Sequence, residues 1–301
     1  MVTANEEIEL SGDDQRVVVD LTGGGLRSYS ARGREVLDGY AAGEASPSGR
    51  GQVLIPWPNR LEDGSYEFDG RHHQLELNEP ERSNAIHGLV RFAQWTVATR
   101  EAKRAVVEHE LEPQPGYPFA LALSIEYSLS LSGLRVQTTA TNAGSEPCPY
   151  GSGAHPYVTL GTETVDEAVL HAPGRVVLHS DERGLPRETE PVDGTDYDFT
   201  RPRPIGSTQL DHAFTDLHRG LDGLARVELA DPGSRAALSL WADESYGYLQ
   251  LFTGDPLPDV ARRSLAVEPM TCPANAFRTG EGLIRLEPGE SFTSAWGISP
   301  A

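Results

Sequence analysis

Residues 95–141 narrow the choice of fold more than any other stretch. Four runs, at 95–100, 104–111, 121–131 and 134–141, alternate apolar and polar side chains along their length. Such period-two alternation marks a strand with one buried face, and Gly133 between the last two runs reads as a hairpin turn. No amphipathic helix fits between these runs, and a parallel crossover needs a dozen residues or more, so the pairing is expected to be antiparallel. Further strand-like runs lie at 16–21, 26–30, 225–229, 236–241, 248–252 and 293–298, and 66–77 reads as a hairpin turning at Asp69-Gly70. The expected fold class is all-β.

Other features set limits. The 31 glycines and 22 prolines fall in short clusters between β-rich runs, which suits many turns. Nucleic acid and anionic membranes both call for a basic face, and a net charge of −20 argues against either as a partner, though not against a local basic pocket. Lys103, the one lysine, sits among Arg100, Glu101 and Arg104 in what reads as a solvated turn, a poor setting for Schiff-base chemistry. Two cysteines, Cys148 and Cys272, make no disulfide framework. Residues 1–10 are acidic without an apolar run, and no segment approaches the ~20 apolar residues of a membrane span, so a cytoplasmic protein is expected. The triple glycine 23–25 follows a strand, but a dinucleotide loop needs a helix next and residues 26–30 alternate instead; it reads as a turn. Residues 181–208 read as a long loop over one sheet face, and a single domain over 1–301 is expected, with no internal repeat.

Five polar sites stand out. Glu268 follows the apolar run Leu265-Ala266-Val267 and precedes Pro269. Proline cannot donate to a sheet ladder, so the strand is expected to end there with Glu268 facing a cleft; a surface glutamate at a strand end is the alternative. His155 lies between Gly153-Ala154 and Pro156-Tyr157, as a proton-transfer group on a strand edge or a histidine bonded within a turn. In Pro56-Trp57-Pro58-Asn59-Arg60 the prolines restrain the backbone, and the arginine fork suits an oxygen-rich ligand. His87, between Ile86 and Gly88, and Asp211, before His212, complete the set; a lone histidine like His87 is more often structural. Adjacent His72 and His73 point to opposite faces of a strand and make a poor metal pair. His212 and His218 read as structural or surface residues, and no His-x-x-His or Cys-x-x-Cys pair is present, so no metal site is expected.

In order, spacing and local wording these sites resemble the aldose 1-epimerase (galactose mutarotase-like) family, in its bacterial aldose 1-epimerase-like branch. The likeness runs nearly end to end, through 23–37, Pro56 to Arg60, Ile86-His87-Gly88, Gly116-Tyr117-Pro118-Phe119, Asn142, Gly153 to Tyr157, Leu210-Asp211-His212 and Glu268-Pro269 to Asn275-Ala276-Phe277. The resemblance implies a large twisted antiparallel β-sandwich, the galactose mutarotase-like supersandwich, with a cleft for a monosaccharide on one sheet face. It implies interconversion of α and β anomers, with Glu268 as base at the anomeric hydroxyl and His155 as acid at the ring oxygen. Arg60, His87 and Asp211 match positions that hold the sugar's oxygens. Asn59 accompanies Arg60, and Trp57 is expected on an apolar sugar face. The chemistry requires no cofactor. A glutamate of ordinary pKa, ~4.3, is ionised at neutral pH, and a histidine near ~6.5 is protonated with little tuning. Cys272 is expected near the cleft without a role.

Three rivals fit parts of this pattern. A hexose-6-phosphate 1-epimerase needs further cationic donors, for which Arg82, Arg91 and Arg278 are candidates. A glycosidase would use Asp211 and Glu268 as carboxylates about 5–10 Å apart. A non-catalytic carbohydrate-binding sensor would keep the hydroxyl holders alone.

Overall fold

The computed structural model describes residues 6–234 and 236–301, so the first five residues of the acidic 1–10 segment lie outside it. The alternation seen in sequence is the alternation of burial. Along Leu121–Ser130, Leu121, Leu123, Ile125, Tyr127 and Leu129 turn inward, and the intervening residues stay partly exposed. This strand pairs over its whole length with Gly133–Asn142. The two belong to a nine-stranded antiparallel sheet that also holds Thr96–Arg100, Arg104–Leu111, Ser291–Pro300, Ala237–Ala242 and Ala225–Ala230. A four-stranded sheet, Glu7–Gly12 to Arg34–Glu35, adds the residues around the triple-glycine turn.

The second large sheet runs Pro186–Pro191, Gly174–Ser180, Asp211–Leu217, Tyr248–Phe252, Leu265–Met270, Gly153–Ala154, Val53–Leu54, and Tyr157–Val158 also pairs with Leu265–Met270. The expected antiparallel β-sandwich is therefore present, and one continuous core holds inward side chains of both sheets, such as Ile125 and Leu123 with Leu249, Leu251, Leu265 and Val267. Leu265–Met270 is buried on both faces. Leu265 and Val267 enter the core, whereas Glu268 faces a cleft roofed by residues from 46–92.

Two expectations need correction. The strand does not end at Glu268 but continues through Pro269, opposite Leu249, to Met270. The amides of Val267 and Thr271 donate to Pro156 and Ser152 on the neighbouring segment. Backbone donors alternate sides along a strand, so the missing Pro269 donor falls on that same side, between the short strands Gly153–Ala154 and Tyr157–Val158. The ladder is already open there, and proline costs it nothing. The 181–208 excursion also contains strand: Pro186–Pro191 forms the sheet edge, where proline is tolerated and side chains are mostly exposed.

Core alternation makes a stability prediction. Ile125→Ala, at a fully buried site, should lower unfolding free energy by about 2–5 kcal/mol in urea titrations. Leu131→Ala, in the following turn and 85% exposed, should stay within about 0.5 kcal/mol of the parent.

Candidate active site

Strand register assembles the floor of the cleft. Tyr157 pairs with Ala266 and Gly153 with Met270, so His155 stands opposite Glu268 where the ladder opens. On the other side, Glu268 pairs with Gln250 and Gln250 with Ala213. His155, Glu268, Gln250 and Ala213 therefore form one row across four neighbouring segments. A parallel row of Tyr157, Ala266, Phe252 and Asp211 lies two residues away on the same face. His155 Nε2 is 3.3 Å from Glu268 Oε1, and both side chains are almost wholly buried. Gln250 Nε2 donates to Asp211 Oδ1 at 2.7 Å, tying the two rows together.

The roof comes from earlier in the chain. Strand Arg60–Glu62 pairs with Asn84–Ile86, and the His87 amide donates to the Asn59 carbonyl, which brings Asn59, Arg60 and His87 together. Asn59 and His87 both have left-handed backbone, φ +54° and +63°, an uncommon conformation for residues with side chains that recurs at functional sites. Arg60 is clamped by the Glu79 carboxylate, Nε to Oε2 at 2.9 Å and an Nη2 contact to Oε1 at 3.0 Å, and Asn84 donates to the same carboxylate. Gly184, at φ +74°, lets its loop close over the guanidinium; a Cβ there would stand 2.7 Å from Arg60. The cleft so enclosed has a volume of about 480 Å³ and is also lined by Gln52, Arg91 and Phe92.

His155 is held from several sides. Its amide donates to Gln52 and its carbonyl accepts from Gly51. Its ring stacks on Tyr157 at 5.0 Å, nearly parallel, and meets the edge of His87 at 5.4 Å. Arg50, paired with Asp38 at 3.0 Å, lies 4.3 Å over the far side of Tyr157. Gly49, at φ +79°, comes so near that a Cβ would sit 2.9 Å from the His155 ring.

Burial changes the ordinary protonation states assumed from sequence. It pushes the Glu268 carboxyl well above its usual range; Asp211 adds to the rise and Arg60 opposes it. Burial also draws His155 down to about 3, with Arg50, Arg91 and Arg60 contributing. His87 falls well below 6.5, chiefly by burial. The ionised glutamate and protonated histidine expected from their unperturbed values are both disfavoured. Burial therefore favours the uncharged form of both members of the pair.

Comparison with other proteins places this geometry. The family model described as aldose 1-epimerase matches residues 6–299. The chain belongs to the aldose 1-epimerase family. It is 34% identical over 291 residues to the uncharacterized protein YihR of Escherichia coli K12, covering 96% of this chain and 92% of that protein. Human galactose mutarotase is 26% identical over 216 residues, covering 67% of this chain and 62% of that protein. The fold matches the crystal structure of a galactose 1-epimerase from Lactobacillus acidophilus, with TM-score 0.82, 23% identity and 98% and 94% of the two chains covered.

Most of the residues singled out in sequence meet in one cleft: Asn59, Arg60, His87, His155, Asp211 and Glu268 all line it. Trp57 does not. It is 3% exposed and packs against Phe277 at 5.6 Å, because the segment that delivers Asn59 and Arg60 passes through the core first. The aromatic rings at the cleft belong to Phe92, Tyr157 and Phe252. Cys272 is fully buried and does not line the cleft. Of the three candidate cations, Arg91 lines the cleft, Arg82 lines a neighbouring cavity, and Arg278 pairs outside both with Glu62 and Asp63. Sequence reasoning missed Gln52, Glu79 and Gln250. Gln250, polar inside the apolar run Tyr248–Phe252, carried a readable signal; Glu79 carried none until its contact with Arg60 was seen.

The protonation states give a stability test. The folded protein holds the Glu268 proton above the unfolded value of 4.5, so this group's stabilising contribution is lost as pH rises through its raised folded pKa. Below 6.5 the lowered His155 value acts in the opposite direction. Glu268→Gln should therefore gain melting temperature relative to the parent as pH is raised above 4.5 and towards the raised folded value, as followed by calorimetry; parallel curves would contradict the assignment.

Proposed function

We propose that the protein is an aldose 1-epimerase, a mutarotase acting on a free aldose by acid–base ring opening and reclosure. The observation that carries this reading is the 3.3 Å separation of His155 Nε2 and Glu268 Oε1 on the cleft floor. The anomeric hydroxyl and the ring oxygen of a pyranose are bonded to the same carbon, so an acid and a base that serve both must lie side by side. The reaction consumes no net proton, so an acid and a base placed side by side suffice. In the reacting form His155 carries the proton and Glu268 the negative charge. Glu268 takes the hydroxyl proton while His155 protonates the ring oxygen; the bond from C1 to that oxygen breaks and the aldehyde forms. Rotation about C1–C2 exposes the other carbonyl face, and reclosure returns both protons.

Around the pair, Gln52 Oε1, His87 Nδ1, His155 Nδ1 and Glu268 Oε2 are buried without a hydrogen-bond partner among the described residues. Buried polar atoms are rarely left so, and several together suit a ligand rich in hydroxyl groups. Arg60, held by Glu79, and Asp211, held by Gln250, are positioned to grip that ligand. A sugar sensor needs such grips but no coupled acid and base, and a glycosidase using Asp211 with Glu268 would leave His155, 3.3 Å from Glu268, without a role. The names of the relatives make galactose the first sugar to try.

One observation favours a second reading, an epimerase of a phosphorylated hexose. Arg91 lines the cleft, and among the described residues its guanidinium makes no hydrogen bond and no ion pair within 4.0 Å, the Glu79 carboxylate acting on it only from farther away. A phosphate would supply one.

Exchange NMR on anomer interconversion tests these readings. Glu268→Gln and His155→Gln should each lower the rate by about 10²–10⁴ with the fold intact, and near-parental rates would remove that residue from the chemistry. The pH profile of kcat/KM should show no His155 inflection near 6.5 and should fall as pH rises through the raised Glu268 value. An inflection near 6.5 would return His155 to its ordinary pKa. Arg91→Met should slow glucose 6-phosphate more than glucose if the anionic reading holds, and slow both alike if it does not.

A further inference from the structure

Behind the roof of the cleft lies a separate cavity of about 400 Å³, inside the ~300–1,000 Å³ range of small-molecule sites. Arg91 and Phe92 line both spaces and so stand between them, whereas Arg60, His155, Asp211 and Glu268 do not line the rear one. The rear cavity takes part of its wall from the two segments that deliver Asn59, Arg60 and His87 to the cleft. Ile55 bridges Gly88 and its carbonyl accepts from the Leu89 amide at 2.7 Å, and Trp57, Gly88 and Leu89 all line the cavity. Gly88, at φ +70°, permits this contact; a Cβ there would stand 2.0 Å from the Ile55 carbonyl oxygen.

We propose that the rear cavity is a binding site for a compact apolar carboxylate, separate from the cleft that holds the acid–base pair. Two of its lining residues carry donors without an acceptor. Trp57 is 3% exposed, and its indole Nε1–H has no hydrogen-bond partner among the described residues. The Arg91 guanidinium lies 5.3 Å from the centre of the Phe92 ring and makes no hydrogen bond or ion pair among the described residues, with Glu79 acting on it only from farther away. Buried donors are rarely left unpaired, and the two oxygens of one carboxylate can take a bond from each of these groups.

The remaining walls select what the carboxylate is attached to. Leu75, Leu89, Phe92 and Pro115 offer apolar surface, and Phe92 is a large ring left 61% exposed, which an apolar occupant would cover. The polar side chains that could greet a sugar are already engaged. Gln74 Nε2 donates to the carbonyls of Asp63 and Leu75, and Asn78 bonds both the amide and the carbonyl of Ile86. A ligand rich in hydroxyl groups would therefore lose water without finding partners. Glu76, exposed at the rim, repels a dianionic phosphate or sulfate more than a monoanionic carboxylate.

The test is titration of the full chain with phenylacetate, cinnamate and hexanoate, read on the tryptophan indole N–H signals by heteronuclear NMR. The Trp57 signal is assigned through its contact with Phe277, 5.6 Å between ring centres. Acetate and the three matching alcohols are the controls. At least one of the acids should move the Trp57 signal saturably, with a Kd of about 1 mM or tighter, and acetate and the alcohols should bind about tenfold more weakly or worse. Arg91→Met should weaken that acid by about tenfold or more. Gln114 is exposed and lines the rear cavity but not the cleft, so Gln114→Phe should narrow the site and weaken the acid to a similar extent. Unmoved signals of Trp95, Trp241 and Trp296 show that each variant is folded. Equal binding of acid and alcohol, or an affinity that survives Arg91→Met, would remove the carboxylate from the proposal. Affinity untouched by Gln114→Phe would place the acid outside the rear cavity, and no saturable movement of Trp57 below about 10 mM would leave the cavity without a ligand of this class. Each of these results overturns the proposal, and none depends on whether the cleft catalyses anomer exchange.

Discussion

A carboxyl group and an imidazole, both removed from water and 3.3 Å apart, impose the central constraint on this structure. Burial disfavours the charged form of each, raising the Glu268 value and lowering that of His155. The surrounding architecture keeps them facing each other. The ladder opens where Pro269 has no amide to offer, which leaves His155 opposite Glu268 without a backbone bond between the strands at that point. Gly49 permits the roof to approach the imidazole, and Tyr157 with Arg50 and Asp38 behind it fixes the ring plane.

The charge pattern follows from the same constraint. The chain is strongly acidic overall, yet Arg50, Arg60 and Arg91 surround the pair. Two of these cations are held by carboxylates, Arg50 by Asp38 and Arg60 by Glu79, so their fields are local and their geometry is set. Arg60 restrains the rise of the Glu268 pKa while Asp211 promotes it. Polar atoms left unpaired at the cleft cost stability that a purely structural sheet would retain, as expected where a site is built for a ligand.

Much of the fold was legible from alternation alone. The run 104–111 is the strand Arg104–Leu111, and 248–252 is Tyr248–Phe252, because half-buried strands write their burial into every second residue. Strands that do not obey that rule were harder to read. Leu265–Met270 is buried on both faces, so its alternation is absent and its proline suggested an end that is not there. Pro186–Pro191 is an exposed edge with little hydrophobic pattern, and it read as loop. Trp57 looked like a binding aromatic from its polar neighbours, but neighbours in sequence do not reveal which side of a chain faces the core.

By itself the sequence determined the β class, the family likeness, and six of the polar residues that line the cleft, since residue types and spacing are properties of the chain. Tertiary structure decided how those residues act. Register sums across separate strands brought His155 against Glu268, Gln250 against Asp211, and Glu79 against Arg60. It also shifted both groups towards their uncharged forms, because a pKa depends on the solvent and charges that folding removes or supplies, and neither is written at a single position.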